Sequence, residues 1–518
     1  MYKFLLCWRY LLTRYIALSS VISVMLGVAT MIVVNAVMFG FTNEMKDRIQ
    51  GILADVIFQS RDMGFPHYDW HRQKILNAAG DLIEELTPAV VAPGMLTYRI
   101  GGTGAQITFQ VDVVGIDVLT QAKVSKIASY LQHPENRKNL SFDLREDGYD
   151  VRGDGGQGAQ REALRYAGWA HRRFWANQLK FQKRHEVPQH LPTHSDEASD
   201  ETEAHPNDPF ITLQREATVF DPALEQQTGV IVGIGTSLMY RESVIDPDTG
   251  KKVVVDELML LPGDDVRLAF TKADLSLQLQ SDSFTVVDLY ESKMAEYDRK
   301  LVFVPIEKLQ QLRGMIDPES GTYTTTQILI KAKPGVNIDV LRDRLRATFP
   351  PQIYDIKTWK DDQSALLSAL GTELAMLNVL LFLIFAVAGF GILAIFYMIV
   401  VEKQKDIGIL KALGASNGGI MQIFLYYSLL LGIVGSALGL GLGLLMVEYI
   451  KEIATVLSYI LQRDVFSPEV YSFYEIPTIV DVPTVMGIIA GAMLIAAAAG
   501  VLPAIRAARV HPVETIRG

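Results

Sequence analysis

The sequence predicts a membrane protein: four transmembrane α-helices plus a large mixed α/β extracytoplasmic domain with a partly disordered insertion. Three observations carry that reading. No Asp, Glu, Lys or Arg occurs in Tyr15–Thr42, Leu374–Val401, Ala415–Val447 or Val482–Ile505. Each stretch exceeds the roughly 20 apolar residues needed to cross about 30 Å of hydrocarbon. The 518 residues are only 20% charged, with a mean hydropathy of +0.20, where soluble domains are nearer about 25% charged. One long polar stretch, Asn43–Glu373, separates the first span from the second. A soluble multidomain protein is excluded, and so is a membrane barrel, whose strands alternate over only about 10 residues.

Residues 1–16 read as an amphipathic segment on the cytoplasmic side. Lys3, Arg9 and Arg14 resemble the n-region of a signal peptide. The apolar run that follows, 17–41, far exceeds an h-region of about 7–15 residues, and no Ala-x-Ala site follows it. It is predicted to be an uncleaved first span. The remaining divisions are the outer domain at 42–373, spans at 374–401, 417–447 and 482–505, a cytoplasmic segment at 402–416, a short outer loop at 448–481 and a cytoplasmic tail at 506–518. Lys and Arg beside the spans set the orientation. With both termini inside, the cytoplasmic pieces hold nine bases against three acids, leaving 39 bases and 55 acids for the rest.

In the outer domain, Gln106–Val114, Phe284–Leu289, Leu301–Ile306 and Gln327–Ile330 alternate like strands, while Tyr68–Leu86 and Ile338–Phe349 have helical spacing. Two subdomains are expected. Residues 133–222 differ in composition. A Gly-rich run at 153–158 precedes a basic aromatic stretch, Arg161–Arg184, and the acidic tract Asp196–Glu203. This reads as a mobile insertion with one helical arm. An arm that meets headgroups or a partner through its Trp and Arg residues is the sharper alternative.

Chemistry-bearing motifs are few. The formal charge of −10 gives no reason to expect nucleic acid. No Gly-x4-Gly-Lys-Ser/Thr loop occurs, so ATP binding by this chain is not expected. The single cysteine, Cys7, allows neither an intramolecular disulfide nor a cysteine metal site. His185, His190, His194 and His205 match no ligand spacing. Gly414-Ala-Ser-Asn-Gly418 fits Gly-x-Ser-x-Gly but lacks the strand that a nucleophile elbow needs. No catalytic or metal site is predicted.

Small residues recur at four-residue spacing within the spans: Ser23 and Gly27 in the first, Gly435, Gly439 and Gly443 in the third, Gly487 and Gly491 in the fourth. This spacing puts them on one face, where another helix can come close. No charged residue or His lies within a span, which argues against a proton relay. Asn35 and Asn378 are the polar exceptions, suited to hydrogen bonds between helices.

Between the second and third spans runs Glu402-Lys-Gln-Lys-Asp-Ile-Gly-Ile-Leu-Lys-Ala-Leu-Gly-Ala-Ser416. Ile407, Leu410 and Leu413 recur every three residues beside Lys403, Asp406 and Lys411, and Gly414 is a helix stop. Pattern alone leaves two readings open: a helix that lies in a partner's groove, or a surface linker.

Here the sequence resembles a known family. Glu402-xxx-Asp406-Ile-Gly-Ile-Leu-Lys-Ala-Leu-Gly-Ala415 is similar to the coupling segment of FtsX/MacB-type ABC transporter permeases. Leu502-Pro-Ala-Ile-Arg-Ala-Ala-Arg-Val-His-Pro-Val-Glu-Thr-Ile-Arg517 is similar to the family's tail. Ser283–Asp298 with Leu301–Pro305, Asn35–Gln59 and Trp359–Leu370 resemble the lipoprotein-releasing (LolC/LolE-type) subunits more narrowly. The resemblance implies a MacB-like periplasmic core domain and a multi-pass protein of the inner membrane. It also implies that Glu402, Lys405, Asp406, Ile407, Gly408, Leu410, Lys411, Leu413 and Gly414 couple to a separate ABC ATPase, which would hold the ATP and Mg. This chain itself is expected to bind no cofactor and to be no enzyme.

The implied function is a mechanotransmission permease subunit that releases lipoproteins from the outer leaflet of the inner membrane. The implied partners are a second copy or paralogous permease, lipoprotein clients and a periplasmic lipoprotein chaperone. By register, a chaperone-docking hairpin falls near Thr271, Leu275, Leu277 and Leu279, in a stretch that is short and lacks proline. Two rivals share the architecture: a MacB-like efflux permease for amphipathic small molecules, and an FtsX-like relay that controls cell-wall hydrolases.

Overall fold

Where a chain segment carries no charge and no partner strand, its backbone can satisfy its own N–H and C=O groups only as helix. The computed structural model, which describes residues 15–62, 64–100, 105–149, 161–185, 220–245, 252–273, 278–461 and 476–509, follows this rule. Four helices are long and apolar enough to cross a membrane. They are Tyr15–Ile52, Ser364–Glu402, Asn417–Glu448 and Val482–Ala508. The first, second and fourth outrun their charge-free stretches, because polar flanks such as Asn43–Gln50 continue the same helix. The segment expected as an outer loop, 448–481, holds a further helix, Ile450–Leu461. The chain divides into two compact units: Met1–Asp47 with Gln363–Gly518, and Arg48–Asp362.

In the helical unit, the third helix presents its glycines to a ridge of the first. A Cβ on Gly435 would sit 2.7 Å from Val24 Cβ, one on Gly439 2.7 Å from Val28 Cβ and from the Met25 carbonyl, and one on Gly443 3.1 Å from Ile32 Cβ. Val24, Val28 and Ile32 are four residues apart, so one ridge fills one seam. Gly27 lies 3.0 Å, by the same measure, from the Phe385 ring of the second helix. Three expectations change. Gly487 and Gly491 have nothing within 4 Å of an added Cβ, and the fourth helix packs instead through Ala496, next to Gly432, and Gly500, next to Ser428. The Ser23 hydroxyl, expected to face another helix, donates to the Ser19 carbonyl of its own helix (2.9 Å). Asn35 likewise bonds its own turn, at the Met31 carbonyl (2.9 Å), rather than another helix.

The second unit is built on a strand barrel. Its strands are β1 (Val56–Ser60), β2 (Phe65–Pro66), β3 (Ile83–Arg99), β4 (Gln106–Ile116), β5 (Thr228–Gly233), β6 (Leu238–Ile245) and β7 (Lys252–Leu258). They continue with β8 (Asp265–Thr271), β9 (Leu279–Tyr290), β10 (Leu301–Pro305), β11 (Thr324–Thr325), β12 (Gln327–Ala332) and β13 (Tyr354–Thr358). The main sheet runs β13-β1-β12-β3-β4-β10-β5-β9-β8, and β8 pairs back onto β3. Six strands thereby close a ring, while β12, β1 and β13 extend from the first half of β3 as an open sheet. Two small pairs, β2–β11 and β6–β7, stand apart from it.

β3 makes both halves possible. It pairs with β12 over Ile83–Ala89, with β4 over Ala89–Arg99 and with β8 over Gly94–Thr97. Its prolines, which cannot donate, fall where it has a neighbour on one side only: Pro88 opposite Ile328, Pro93 opposite Asp112. At Gly94, where β8 joins, a Cβ would lie 2.8 Å from the Ala269 carbonyl, so the close approach needs glycine. The predicted helix Tyr68–Leu86 is therefore two elements. It ends at Ala79, where Gly80 caps it, and Ile83 opens β3.

Three apolar clusters follow. Val230, Val232, Val302 and Val304 belong to one with Phe284 and Leu268. Their neighbours Ile231 and Phe303 face the other way, against Ile127, Leu131, Leu140, Phe142 and Leu144. Strands buried on both faces explain the unbroken apolar runs Gly229–Gly233 and Leu301–Pro305. The third cluster, with Phe58, Ile330 and Ile356, lies under helices Tyr68–Ala79 and Ile338–Thr348.

The expected helical arm of the 133–222 insertion is present as Trp169–His185, but the expectation of mobility changes for the described residues. Residues 150–160 and 186–219 lie outside the described residues, but 133–149 and 161–185 are packed on the barrel. The Tyr149 hydroxyl donates to the Val287 carbonyl (2.7 Å), and the ring is buried. Trp169 donates to the Leu144 carbonyl (3.0 Å). Arg172, 3% exposed, donates to Asp265 (2.7 Å). Composition suggested too little apolar area; the segment borrows that area from the outer faces of β5 and β10.

The glycine seam is open to test. Gly439→Val drives methyls into the Met25 carbonyl and Val28, an overpacking that costs about 1–3 kcal/mol. The thermal midpoint of the full chain in detergent should fall, while Gly491→Val leaves it unchanged. Equal midpoints for the two variants would refute the assigned seam.

Candidate functional site

The segment between the second and third helices is a helix of its own, Gln404–Ala412, set off by a break at Lys403. Its end has a full cap. Ala415 N donates to the Leu410 carbonyl (3.0 Å) and Gly414 N to the Lys411 carbonyl (3.0 Å), with Gly414 at φ +95°. That is the Schellman arrangement, and the left-handed residue is the glycine expected as the stop. Two residues on, the Ser416 hydroxyl accepts from Gly419 N (3.1 Å) and starts the third helix. Gly-Ala-Ser is thus a corner with both helix ends satisfied.

The corner sorts the predicted coupling residues into two groups. Ile407, 4% exposed, joins Val400, Ile420 and Phe424 in the core of the helical unit, and Gly408 is buried beside it. Ile407 is therefore an anchor and not part of an outward face, a correction to the three-residue pattern. Leu410 and Leu413 do face outward, at 42% and 80% exposure, and Ile409 joins them at 51%. Glu402, Lys405, Asp406 and Gly414 are exposed around them. Lys403 Nζ donates to Asp406 Oδ2 (2.6 Å).

Lys411 points elsewhere. Its Nζ donates to the Ala508 carbonyl in the last turn of the fourth helix (2.6 Å), where a cation favours the exposed C=O groups. The Arg506 guanidinium, in the last turn of that helix, lies 4.5 Å from the centroid of the Tyr397 ring on the second helix. The described part of the tail motif is thereby fastened to the coupling corner; its remainder, 510–517, lies outside the described residues.

Beside the first, second and fourth helices lies a cleft of about 580 Å³ with mostly apolar walls. Asn35, Asn378, Gly487 and Gly491 line it, together with Asp481, which caps the fourth helix by accepting from Thr484 N (3.0 Å). The glycines predicted to pack against a helix instead shape this space.

In the barrel unit, the hairpin predicted near 271–282 is a short connection. Thr271 pairs directly with Leu279, which is 63% exposed, while Leu275 and Leu277 lie outside the described residues. The β6–β7 hairpin, which sequence reading missed, forms a two-stranded sheet of its own, with Leu238 and Leu258 packed into the barrel core. At its base four buried charges interlock. Arg161 donates to Asp256 (2.9 Å), Glu291 (2.7 Å) and Gln132 (2.8 Å). Arg241 donates to both Asp256 oxygens (2.5 and 2.9 Å) and lies 3.5 Å from Glu291. Burial pushes Asp256 up, but the two guanidiniums outweigh it and hold the carboxyl below its usual range. No local pattern announces this tetrad, since its members are spread from 161 to 291.

Two further carboxyls are buried nearby. Asp288 accepts from Asn136 Nδ2 (2.8 Å) and from the backbone at Gln132, His133 and Leu289; burial pushes it up to about 6 against these donors. Asp298 accepts from Ser292 N (2.8 Å) and Ser292 Oγ (2.6 Å), and burial pushes it up to about 7 from 3.8. A carboxyl raised in the folded state binds a proton there that the unfolded chain has already lost. Its contribution is complete below pH 3.8 and disappears as pH rises through about 7. Between those limits it should remove up to about 1 kcal/mol of stability per pH unit. Thermal midpoints of Asp298→Asn across pH 5–8 should lack this downward slope. An identical slope in the variant and the parent would exclude the assignment.

Residues 378–512 match the family model described as FtsX-like permease C-terminal. Several curated proteins are similar over a larger share of the chain. A lipoprotein-releasing system transmembrane protein LolC of Xylella fastidiosa (strain 9a5c) is 31% identical over 235 residues, 45% of this chain and 55% of that protein. An uncharacterized ABC transporter permease of Methanocaldococcus jannaschii is 25% identical over 47% of this chain and 57% of its own length. A macrolide export ATP-binding/permease protein MacB of Neisseria meningitidis serogroup A is 25% identical over 38% and 28%. The chain thus spans little more than half the length of the first two relatives. The capped corner at 402–416, the third helix and most of the second lie inside the matched residues, and the resemblance to FtsX/MacB-type permeases, lipoprotein-releasing subunits among them, is borne out.

Proposed function

We propose that this chain is the membrane subunit of an ABC transporter of the mechanotransmission type, which releases lipoproteins from the outer leaflet of an inner membrane. The observation that carries this reading is the corner at Gln404–Ala412. Ile409, Leu410 and Leu413 stand exposed on a capped helix fixed to the bundle by Ile407 and to the fourth helix by Lys411. A helix held at two points and apolar on its free face suits a groove on a partner. The partner is a separate ATPase that holds ATP and Mg; this chain hydrolyses nothing and binds neither. A two-fold ATPase needs two such membrane subunits, identical or related.

The orientation is part of the proposal. Both termini and the coupling corner lie in the cytoplasm, with the barrel unit outside, as the Lys and Arg count favours. The lipoprotein assignment rests on the LolC relatives; the MacB relatives support efflux of amphipathic small molecules as the second reading. Co-purification separates the two, since a lipidated client favours release and a periplasmic adaptor favours efflux.

Two measurements test the shared core of both readings. Leu410→Asp places a charge against the groove, where loss of even a partly hydrated contact costs several kcal/mol, enough to dissociate a roughly micromolar complex. Pull-down of the ATPase should fail with Leu410→Asp and survive with Lys403→Gln. Undiminished binding in Leu410→Asp would remove the coupling assignment. For orientation, Ala412→Cys and Leu119→Cys are compared in a Cys7→Ser background, both positions being exposed. In intact cells an impermeant thiol reagent should label Leu119→Cys alone. Labelling of Ala412→Cys instead would reverse the topology.

A further inference from the structure

A guanidinium held in a protein interior ordinarily has a carboxylate beside it, because an unpaired buried charge is costly. Arg161, Arg172 and Arg241 of the barrel unit, each at most 11% exposed, all face an Asp. Arg313 breaks this pattern. It ends the helix Ile306–Arg313 and is 8% exposed. Its Nε donates to the Thr271 carbonyl (3.2 Å), and its Nη1 reaches the Met315 sulfur (3.6 Å), a weak acceptor. Among the described residues, Nη2 has no partner and no carboxylate comes within ion-pair distance. Burial therefore pushes this guanidinium below its usual range with nothing of opposite charge to oppose it. The carbonyls at the helix end offset part of the charge, but a partial dipole is no counter-ion.

Arg313 lines a pocket of about 270 Å³ where the open sheet leaves the ring, with mostly polar side chains from β1 and β12 around it. Several of those side chains already have partners. Gln59 donates to Asp355 (3.1 Å) and accepts from Gln327 (3.2 Å), and Thr326 Oγ1 accepts from Val91 N (2.8 Å). Ser60 Oγ accepts from Asp62 N (3.1 Å), which leaves the hydroxyl proton to give. The donors that remain for a ligand are thus the Arg313 guanidinium and the Ser60 hydroxyl. Asp62 is an exposed acid on the rim. The volume lies near the lower end of the roughly 300–1,000 Å³ of ligand sites, which suits one short acid or one acidic side chain.

We propose that the pocket between Arg313 and Ser60 binds one carboxylate, carried by a short organic acid or by a Glu or Asp side chain of a partner protein. The two oxygens of a carboxylate match the fork of a planar guanidinium, and the Ser60 hydroxyl adds a further bond. The ligand supplies the counter-ion that the fold itself withholds from Arg313. Asp62 weakens the site, since a carboxylate on the rim repels a second one. This inference goes beyond the permease reading and does not depend on it.

The test is the NMR line width of isotope-labelled acetate, titrated with the full-length chain in detergent at constant ionic strength. The parent should broaden the carboxyl signal, and Arg313→Met should weaken binding by about tenfold or more. If Arg313→Met does not fold, Arg313→Lys, which keeps the charge without the fork, should show a smaller loss. Two changes at the pocket that leave the buried charge in place read the site separately. Ser60→Ala should weaken acetate binding roughly threefold, and Asp62→Asn should tighten it. A blocked Gly-Glu-Gly peptide that binds more tightly than acetate assigns the carboxylate to a partner's side chain; weaker binding assigns it to a free acid. No broadening by the parent would overturn the proposal. So would equal displacement of acetate by chloride, the mark of an adventitious ion only, or a preference for inorganic phosphate. Unchanged binding in Arg313→Met, or looser binding in Asp62→Asn, would equally remove it.

Discussion

Hydrocarbon supplies no water for a stray carbonyl and no hydrophobic force to press one helix against another, so helices within it are held by how closely they approach. Here that closeness is concentrated in one seam. The glycines at 435, 439 and 443 accept the ridge of Val24, Val28 and Ile32, and no side chain larger than hydrogen fits between. The seam fixes the first helix by its midsection. The fourth helix comes as close to the third, with Gly500 against Ser428 and Gly432 against Ala496, while its first half lines an open cleft.

The barrel unit has a similar single dependence. β3 is common to the ring and to the open extension, so a register slip of one residue would turn both cores inside out. Pro88 and Pro93 sit where β3 has one neighbour, and together they mark where its partners change from β12 to β4 and β8. The sheet is mixed for the same reason. β10 and β5 are inserted between β4 and β9, each running parallel to one of them and antiparallel to the other. Such strands need cover on the outside as well as inside, and the stretch from Ile127 to Leu144 provides it.

The charge-free spans were legible because membrane solubility acts on every residue of a helix at once, and the Gly414 stop because one backbone conformation demands glycine. Features that depend on partners distant in sequence were not. Ile407 repeats with Leu410 and Leu413, yet period alone cannot say which residue of a short helix turns inward, and the core of the bundle claims Ile407. Gly487 and Gly491 share the spacing of the true seam, but a helix face with small residues serves a cleft as well as a contact. Residues 133–149 looked too polar to pack because their apolar complement, Ile231 and Phe303, lies on β5 and β10. The tetrad was invisible, since Arg161, Arg241, Asp256 and Glu291 look like ordinary surface charge until the fold places them together.

The two helices that enter the barrel unit do so from neighbouring strands. Val56, the first residue of β1, is registered opposite Thr358, the last of β13, and the Asp55 carbonyl accepts from Trp359 N (3.3 Å). The first helix ends four residues before that pair, and the second begins six residues after it. Asp55 itself is buried and bonded to Gln50 (2.8 Å), Ala332 N (3.0 Å) and Lys331 (3.2 Å), which ties the crossing point to the helix end and to β12. Removing that carboxylate would leave Gln50, the Ala332 N–H and Lys331 without their common acceptor, so one buried charge fixes both the end strands of the open sheet and the helix end beside them.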